Sequence, residues 1–163
     1  MDALEEYDVP YGNNWDNPTE AAAYGDVADQ VRPWRAQVRD HIAARVATLA
    51  PRAASFVRAS FKSDDWPQQI NGRFDCVLSM QAIHELRHKR HAKRVYGQAY
   101  DVLTDRGTIM ICDHTPLDDS AKSAALYMSQ DEQQAALLSA GFANVRVELA
   151  IDTLVVYGGE RAA

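Results

Sequence analysis

The chain has 163 residues, 47% of them apolar and 25% charged, which suits one globular domain with a sizeable core. A net charge of −6 argues against a general nucleic-acid binder, because neutralising phosphates needs a surplus of Lys and Arg on one face. No run approaches the roughly 18 apolar residues of a membrane span. The acidic, polar start MDALEEYDVPYGNNWDNPTE does not read as a secretory or transit signal, so cytoplasm is the expected location. Cys76 and Cys112 sit in apolar runs without CxxC spacing and read as two small buried hydrophobes, not a disulfide framework.

Residues 1–25 mix Gly, Asn, Pro and acids with Tyr7, Tyr11, Trp15 and Tyr24, which predicts an irregular arm ahead of one domain spanning 26–163. Val27, Val31, Trp34, Val38, Ile42, Val46 and Leu49 then recur every three or four residues, predicting helix from Asp26 to Leu49, split by Pro33. SFVRASF (Ser55–Phe61) is partly alternating and predicts a short strand, and KSDDWPQQINGR reads as a loop. FDCVLS (Phe74–Ser79) is a continuous apolar run, the pattern of a strand buried on both faces.

A helix is expected to follow as far as Leu103, with Val95, Ala99, Val102 and Leu103 facing inward. Asp105-Arg106-Gly107 predicts a turn into a second buried strand, GTIMICD. Ser129 and Glu132 have capping-box spacing and open a helix that stops at Gly141. VRVELA and TLVVYG, separated by Ile151-Asp152, read as a hairpin. Helices alternating with buried strands, closed by an antiparallel pair, predict an α/β fold with a mostly parallel sheet and helices on both faces.

FDCVLSMQAIHELRHK, then a helix ending in YDVLTDRGTIMICDH, then QDEQQAALLSAGFANVRVEL, resembles the second half of a class I S-adenosylmethionine (SAM)-dependent methyltransferase. The likeness spans about residues 55–158 and rests on several pieces in the right order, with Trp66 a few residues ahead of the FD strand as a further match. It implies a reduced Rossmann-like sheet, SAM as cofactor and methyl transfer to a small molecule. By the same resemblance Ser79, Met80 and Gln81 line the remaining cofactor pocket, Ser60 and Phe61 face the adenine position, and His84 sits at the substrate mouth as the catalytic candidate. The family sheet runs 3-2-1-4-5-7-6.

The chain departs from that pattern. Arg106-Gly107 stands where the family usually has Gly-Gly, and no glycine lies between Gly25 and Gly72, where the cofactor's glycine-rich loop belongs. Strands 1 and 2 of the family sheet have no counterpart, so SFVRASF either pairs with FDCVLS or leaves an edge that a second copy must cover, making a homodimer. An alternative function is therefore a non-catalytic binding or dimerisation module.

A second alternative comes from His84-Glu85-Leu86-Arg87-His88, a literal H-E-x-x-H. On a helix its histidines would share a face and could hold zinc, with Glu85 as general base. Arg87, Lys89 and Arg90 crowd that site with positive charge, and only Asp101, Asp105 and His114 stand as distal ligand candidates. The basic run Arg87–Arg94 is expected to be a solvated face, and Trp15, Tyr24 and Trp34 a satellite core or a lid. Asp113-His114 ends the second buried strand, at the sheet edge where open α/β folds place ligands, although a cap or turn role is the plainer expectation.

Overall fold

A computed structural model describes residues 8, 9, 17–49, 57 and 59–162. Helix α1 spans Pro18–Val31, so residues 18–25 are helical where an irregular arm was expected. Asn17 is the reason: its side chain accepts from the Thr19 backbone N–H, and Pro18 occupies the first turn, where a missing N–H costs nothing. Pro33 does split the helix, and α2 runs Arg35–Leu49. The expected apolar stripe holds only in α2. Val38 and Ile42 are buried, whereas Val27 and Val31 of α1 stand 55% and 67% exposed.

Ser55, Phe56 and Arg58 lie outside the described residues, and Val57, Ala59, Ser60 and Phe61 belong to no strand. Within the expected loop, Trp66–Gln69 forms a single helical turn, α3, with Pro67 in its first turn. Strand β1 covers Phe74–Met80. After two short 3-10 turns, Ile83–Leu86 and Lys89–His91, come α4 (Ala92–Val102) and β2 (Leu103–His114). Helix α5 (Ala121–Leu126) was not foreseen. Ser120 caps it, and the Ser123 hydroxyl takes the Leu117 N–H. Helix α6 (Gln130–Ser139) opens with the expected capping box, and Gly141, at φ +102°, lets the chain turn into β3 (Phe142–Ile151). A two-residue turn, Asp152-Thr153, leads to β4 (Leu154–Arg161).

The sheet order is β1-β2-β4-β3, with β1 and β2 parallel and the other two pairs antiparallel. This is the 4-5-7-6 half of the sheet that the resemblance implies. Strand β2 is buried almost throughout and serves both faces by alternation. Ile109 and Ile111 join Tyr96, Ala99, Leu137, Val155 and Tyr157 beneath α4 and α6, while Met110 and Cys112 join Val38, Ile42, Leu154 and Val156 beneath α2. Helices thus cover both faces.

Strand β1 corrects two expectations. Among the described residues it pairs only with β2, so it is an edge strand and not a fully buried one. Phe74 and Leu78 are 37% and 43% exposed. The Asp105-Arg106-Gly107 turn is instead a bulge inside β2. Two steps along β1, Phe74 to Cys76, face five along β2, Leu103 to Thr108, and Arg106 takes a φ of 64°. Both cysteines are free, with Cys112 buried and Cys76 half-buried. No described helix is long and apolar enough to cross a membrane.

The core beneath α4 contains one polar pair, in which Gln133 Nε2 donates to Tyr96 Oη at 2.6 Å, both residues being buried. Tyr96→Phe leaves that amide donor unsatisfied in an apolar setting, at a cost of about 1–3 kcal/mol. The expected outcome in a urea melt is a lower midpoint with an unchanged slope, and Gln133→Leu added to Tyr96→Phe should recover part of the loss. A Tyr96→Phe protein as stable as the parent would show that the bond contributes nothing.

Candidate active site at the carboxyl end of the parallel strands

β1 and β2 run in parallel, β1 ending at Met80 opposite Cys112 and β2 two residues further on at His114, so the residues around both ends converge on one end of the sheet. The chain leaves β1 through Gln81, whose φ is 51°, makes the 3-10 turn Ile83–Leu86, and reverses at Arg87, with φ 68°. Left-handed backbone at non-glycine residues costs of order 1 kcal/mol each. Here it brackets the turn that carries His84.

Asp113 fixes that turn. Its Oδ2 accepts from the His84 backbone N–H at 3.0 Å, and its Oδ1 lies 2.6 Å from His84 Nδ1. The same Oδ1 accepts from the His114 N–H at 2.8 Å. With Nδ1 bonded to Asp113, His84 presents Nε2 toward Glu85, 3.6 Å away. Burial works against a charged His84, but the Asp113 hydrogen bond and charge, helped by Glu85, outweigh it and raise the pKa above the usual histidine value. The ring lies 5.2 Å from that of Tyr127, and burial together with the Asp113 charge raises the Tyr127 phenol pKa.

The second histidine is shifted in the opposite direction. Arg35 Nη2 donates to Gln81 Oε1 at 3.0 Å, Gln81 Nε2 lies 3.2 Å from His114 Nε2, and His114 Nδ1 lies 3.0 Å from Thr153 Oγ1. Burial, aided by Arg32, His84 and Arg35, lowers the His114 pKa to about 4 against the pull of Asp113. His114 is therefore neutral at pH 7. Gln81 donates to its Nε2, and its Nδ1–H donates to Thr153.

Two clefts meet at this edge. An apolar one of about 290 Å³ is lined by Phe61, Trp66, Val77, Leu78, Ser79 and Met80, with α4 residues behind. A polar one of about 560 Å³ is lined by Tyr24, Arg32, Met80, Gln81, His84, Glu85, Arg87, His114, Leu117, Lys122, Leu126 and Tyr127. The predicted residues divide between them: Phe61 and Ser79 line the first, Gln81 and His84 the second, and Met80 both. Ser60 lines neither. Asp113, Tyr127 and Arg32 were not chosen as site residues from the sequence. Only Asp113 gave a signal, as an acid at a strand end.

The linings fit only part of SAM. The apolar cleft, with the rings of Phe61 and Trp66, suits a flat base, but among the described residues that cleft holds no acid for ribose hydroxyls, and no glycine for close backbone approach lines either cleft. The zinc reading loses its geometry. Arg87 breaks the turn, so His84 and His88 do not share a helix face. His84 Nδ1 is committed to Asp113, and His88 Nδ1 accepts from the Arg90 N–H at 3.1 Å. No group of three or more His, Cys, Asp or Glu among the described residues could hold a metal. The basic run is not one solvated face either, because Arg87 is buried with Nε donating to the Val9 carbonyl. Of the three rings, Trp34 packs against the α2 core, Tyr24 lines the polar cleft, and Trp15 lies outside the described residues.

No family model matches the sequence, and no curated protein does. Solved structures do. An O-methyltransferase family protein from Burkholderia thailandensis superposes with a TM-score of 0.54 at 20% identity, over 67% of this chain and 36% of that one. Human N-acetylserotonin methyltransferase in complex with SAM gives 0.50 at 14% identity, over 66% and 34%. PigF, solved with SAH, gives 0.50 at 15% identity, over 63% and 33%. The chain spans about a third of the length of these structures. What it shares with them is architecture: about two-thirds of this chain superposes on roughly a third of each of these methyltransferase structures, a likeness of fold.

Proposed function

We propose that this chain carries the acceptor side of a SAM-dependent methyl-transfer site for a small molecule, with His84 as general base. The observation that carries the reading is the 2.6 Å contact between His84 Nδ1 and Asp113, beside a polar cleft at the carboxyl end of the parallel strands. A proton-bearing acceptor in that cleft meets His84 Nε2. Neutral His84 takes the proton, and Asp113 stabilises the imidazolium that forms while holding the ring in one tautomer. The Tyr127 ring lies tilted beside the imidazole, 5.2 Å between centroids, and forms part of its wall. SAM supplies an electrophilic methyl group when bound, and the apolar slot by Phe61, Ser79 and Met80 supports a place for its base.

Added SAM should raise the melting temperature, by an amount equivalent to about 2.7 kcal/mol at a hundredfold excess over Kd. His84→Gln should keep that shift and lower kcat by roughly 10²–10⁴-fold. An unshifted melt in a cooperatively folding sample would rule out the methyltransferase reading.

The pH profile follows from the His84 environment. The base works only when unprotonated, so the rate should climb as pH rises through a pKa above the usual ~6.5. Asp113→Asn removes the negative charge and reduces the hydrogen bond to a neutral one, so burial, which lowers the pKa, weighs more against the remaining pull of Glu85. The inflection should move to lower pH and the plateau rate should fall. An inflection unmoved by Asp113→Asn would mean that another group titrates.

A second reading, a non-catalytic module that self-associates, is favoured by the partial fit to SAM and by the position of β1 at the sheet's edge among the described residues. A second copy adding its own edge strand would satisfy the outward-facing N–H and C=O groups of β1. Sedimentation should then give twice the chain mass, and monomer at high concentration would end this reading.

A further inference from the structure

The polar cleft carries a charge pattern that proton abstraction does not need. Three cationic side chains, Arg32, Arg87 and Lys122, line it against one carboxylate, Glu85. Arg87 Nη1 and Glu85 Oε2 neutralise each other at 3.3 Å. Among the described lining residues no second carboxylate faces Arg32, while Lys122 at the rim lies within reach of the exposed Asp118 carboxylate, on a chain whose net charge is −6. Arg32 is the more telling of the two. It is half-buried at the end of α1, and its side chain has no hydrogen-bond or ion-pair partner among the described residues. A half-buried guanidinium is an expensive group to leave unpaired, and its fork of donors matches a carboxylate. The nearby His114 is neutral and already bonded on both ring nitrogens, so it offers Arg32 no anion.

Apolar and aromatic groups fill out the rest of the wall. Tyr24, Tyr127, Leu117 and Leu126 line the same cleft, and the Tyr127 ring lies edge-on to His114 at 6.0 Å between centroids. A ligand meeting all of these has a flat apolar body, an anionic end toward Arg32 and a proton-bearing end toward His84. We propose that the acceptor bound in this cleft is an organic carboxylate, whose carboxylate pairs with Arg32 and is assisted by Lys122. This rests on the reading of His84 as the acceptor's base, but binding tests it without any methyl transfer.

The test is calorimetric titration of the whole chain with 4-hydroxybenzoate and, separately, with its methyl ester. The acid should bind roughly tenfold or more tightly than the ester, the increment of a charge-assisted hydrogen bond, and the preference should shrink in high salt. Arg32→Gln, shown to be folded by circular dichroism, should abolish the preference, and Lys122→Gln should weaken it. His84→Gln should leave it intact. The other source of a carboxylate is the amino-acid end of the cofactor, so S-adenosylhomocysteine is titrated into the parent and Arg32→Gln proteins in parallel. Loss of its binding with the acid preference unchanged would assign Arg32 to that molecule and overturn the proposal. Equal binding of acid and ester, or binding of neither, would also overturn it. A clear acid preference in a protein that transfers no methyl group would instead sink the proposed reaction and leave the carboxylate site standing.

Discussion

The buried carboxylate of Asp113 holds the functional end of this molecule together. It closes β2, accepts the backbone N–H of its own neighbour, and reaches across to take both a backbone and a ring donor of His84. A carboxylate this well buried is stable only when its lone pairs are used, and here two of the donors come from His84, 29 residues away along the chain. The left-handed residues Gln81 and Arg87 are tolerable because this anchor, together with the Gln81 N–H bond to the Cys112 carbonyl at 2.7 Å, determines the turn between them. Position and protonation of His84 thus come from one interaction. Neutral His114, one residue beyond the carboxylate, shows how far a difference in partners can separate two histidines that share a cleft.

Much of the fold was legible because its signals are local. Pro33 ends one helix, Ser129 and Glu132 open another, and Gly141 stops it, each through the backbone group it frees or satisfies. The alternation of GTIMICD was visible as an apolar run, but the assignment of Ile109 and Ile111 to one core and Met110 and Cys112 to the other needs the helices in place. The start of α1 was missed because PTEAAAYG was judged by its glycine and polar residues, while Asn17 supplied a cap. The edge position of β1 was missed for a different reason. Hydrophobic content says how much surface a strand could bury, and not whether a neighbour exists to bury it.

The site was legible only in part. The resemblance singled out Met80 and Gln81 as cofactor contacts and His84 at the substrate mouth, and all three line the polar cleft, Met80 as the last residue of β1. Arg32 could not be singled out, because a lone arginine after a helix carries no pattern. Its significance comes entirely from what surrounds it. The H-E-x-x-H motif failed in the opposite direction, since its spacing promised a shared helix face that the φ of 68° at Arg87 denies. Spacing implies geometry only once the intervening backbone is known to be regular.

The bulge between Leu103 and Thr108 gives the sheet a kind of slack. Because successive residues of β2 feed opposite cores, sliding the strand by one place would turn every side chain onto the wrong layer. Three surplus residues with a left-handed Arg106 at their centre stand upstream of the paired stretch. Length changes in the segment joining α4 to that stretch can be absorbed there, without disturbing how Ile109 to Cys112 interlock. The conserved quantity in such a chain would be the parity of the strand and not the length of the approach to it.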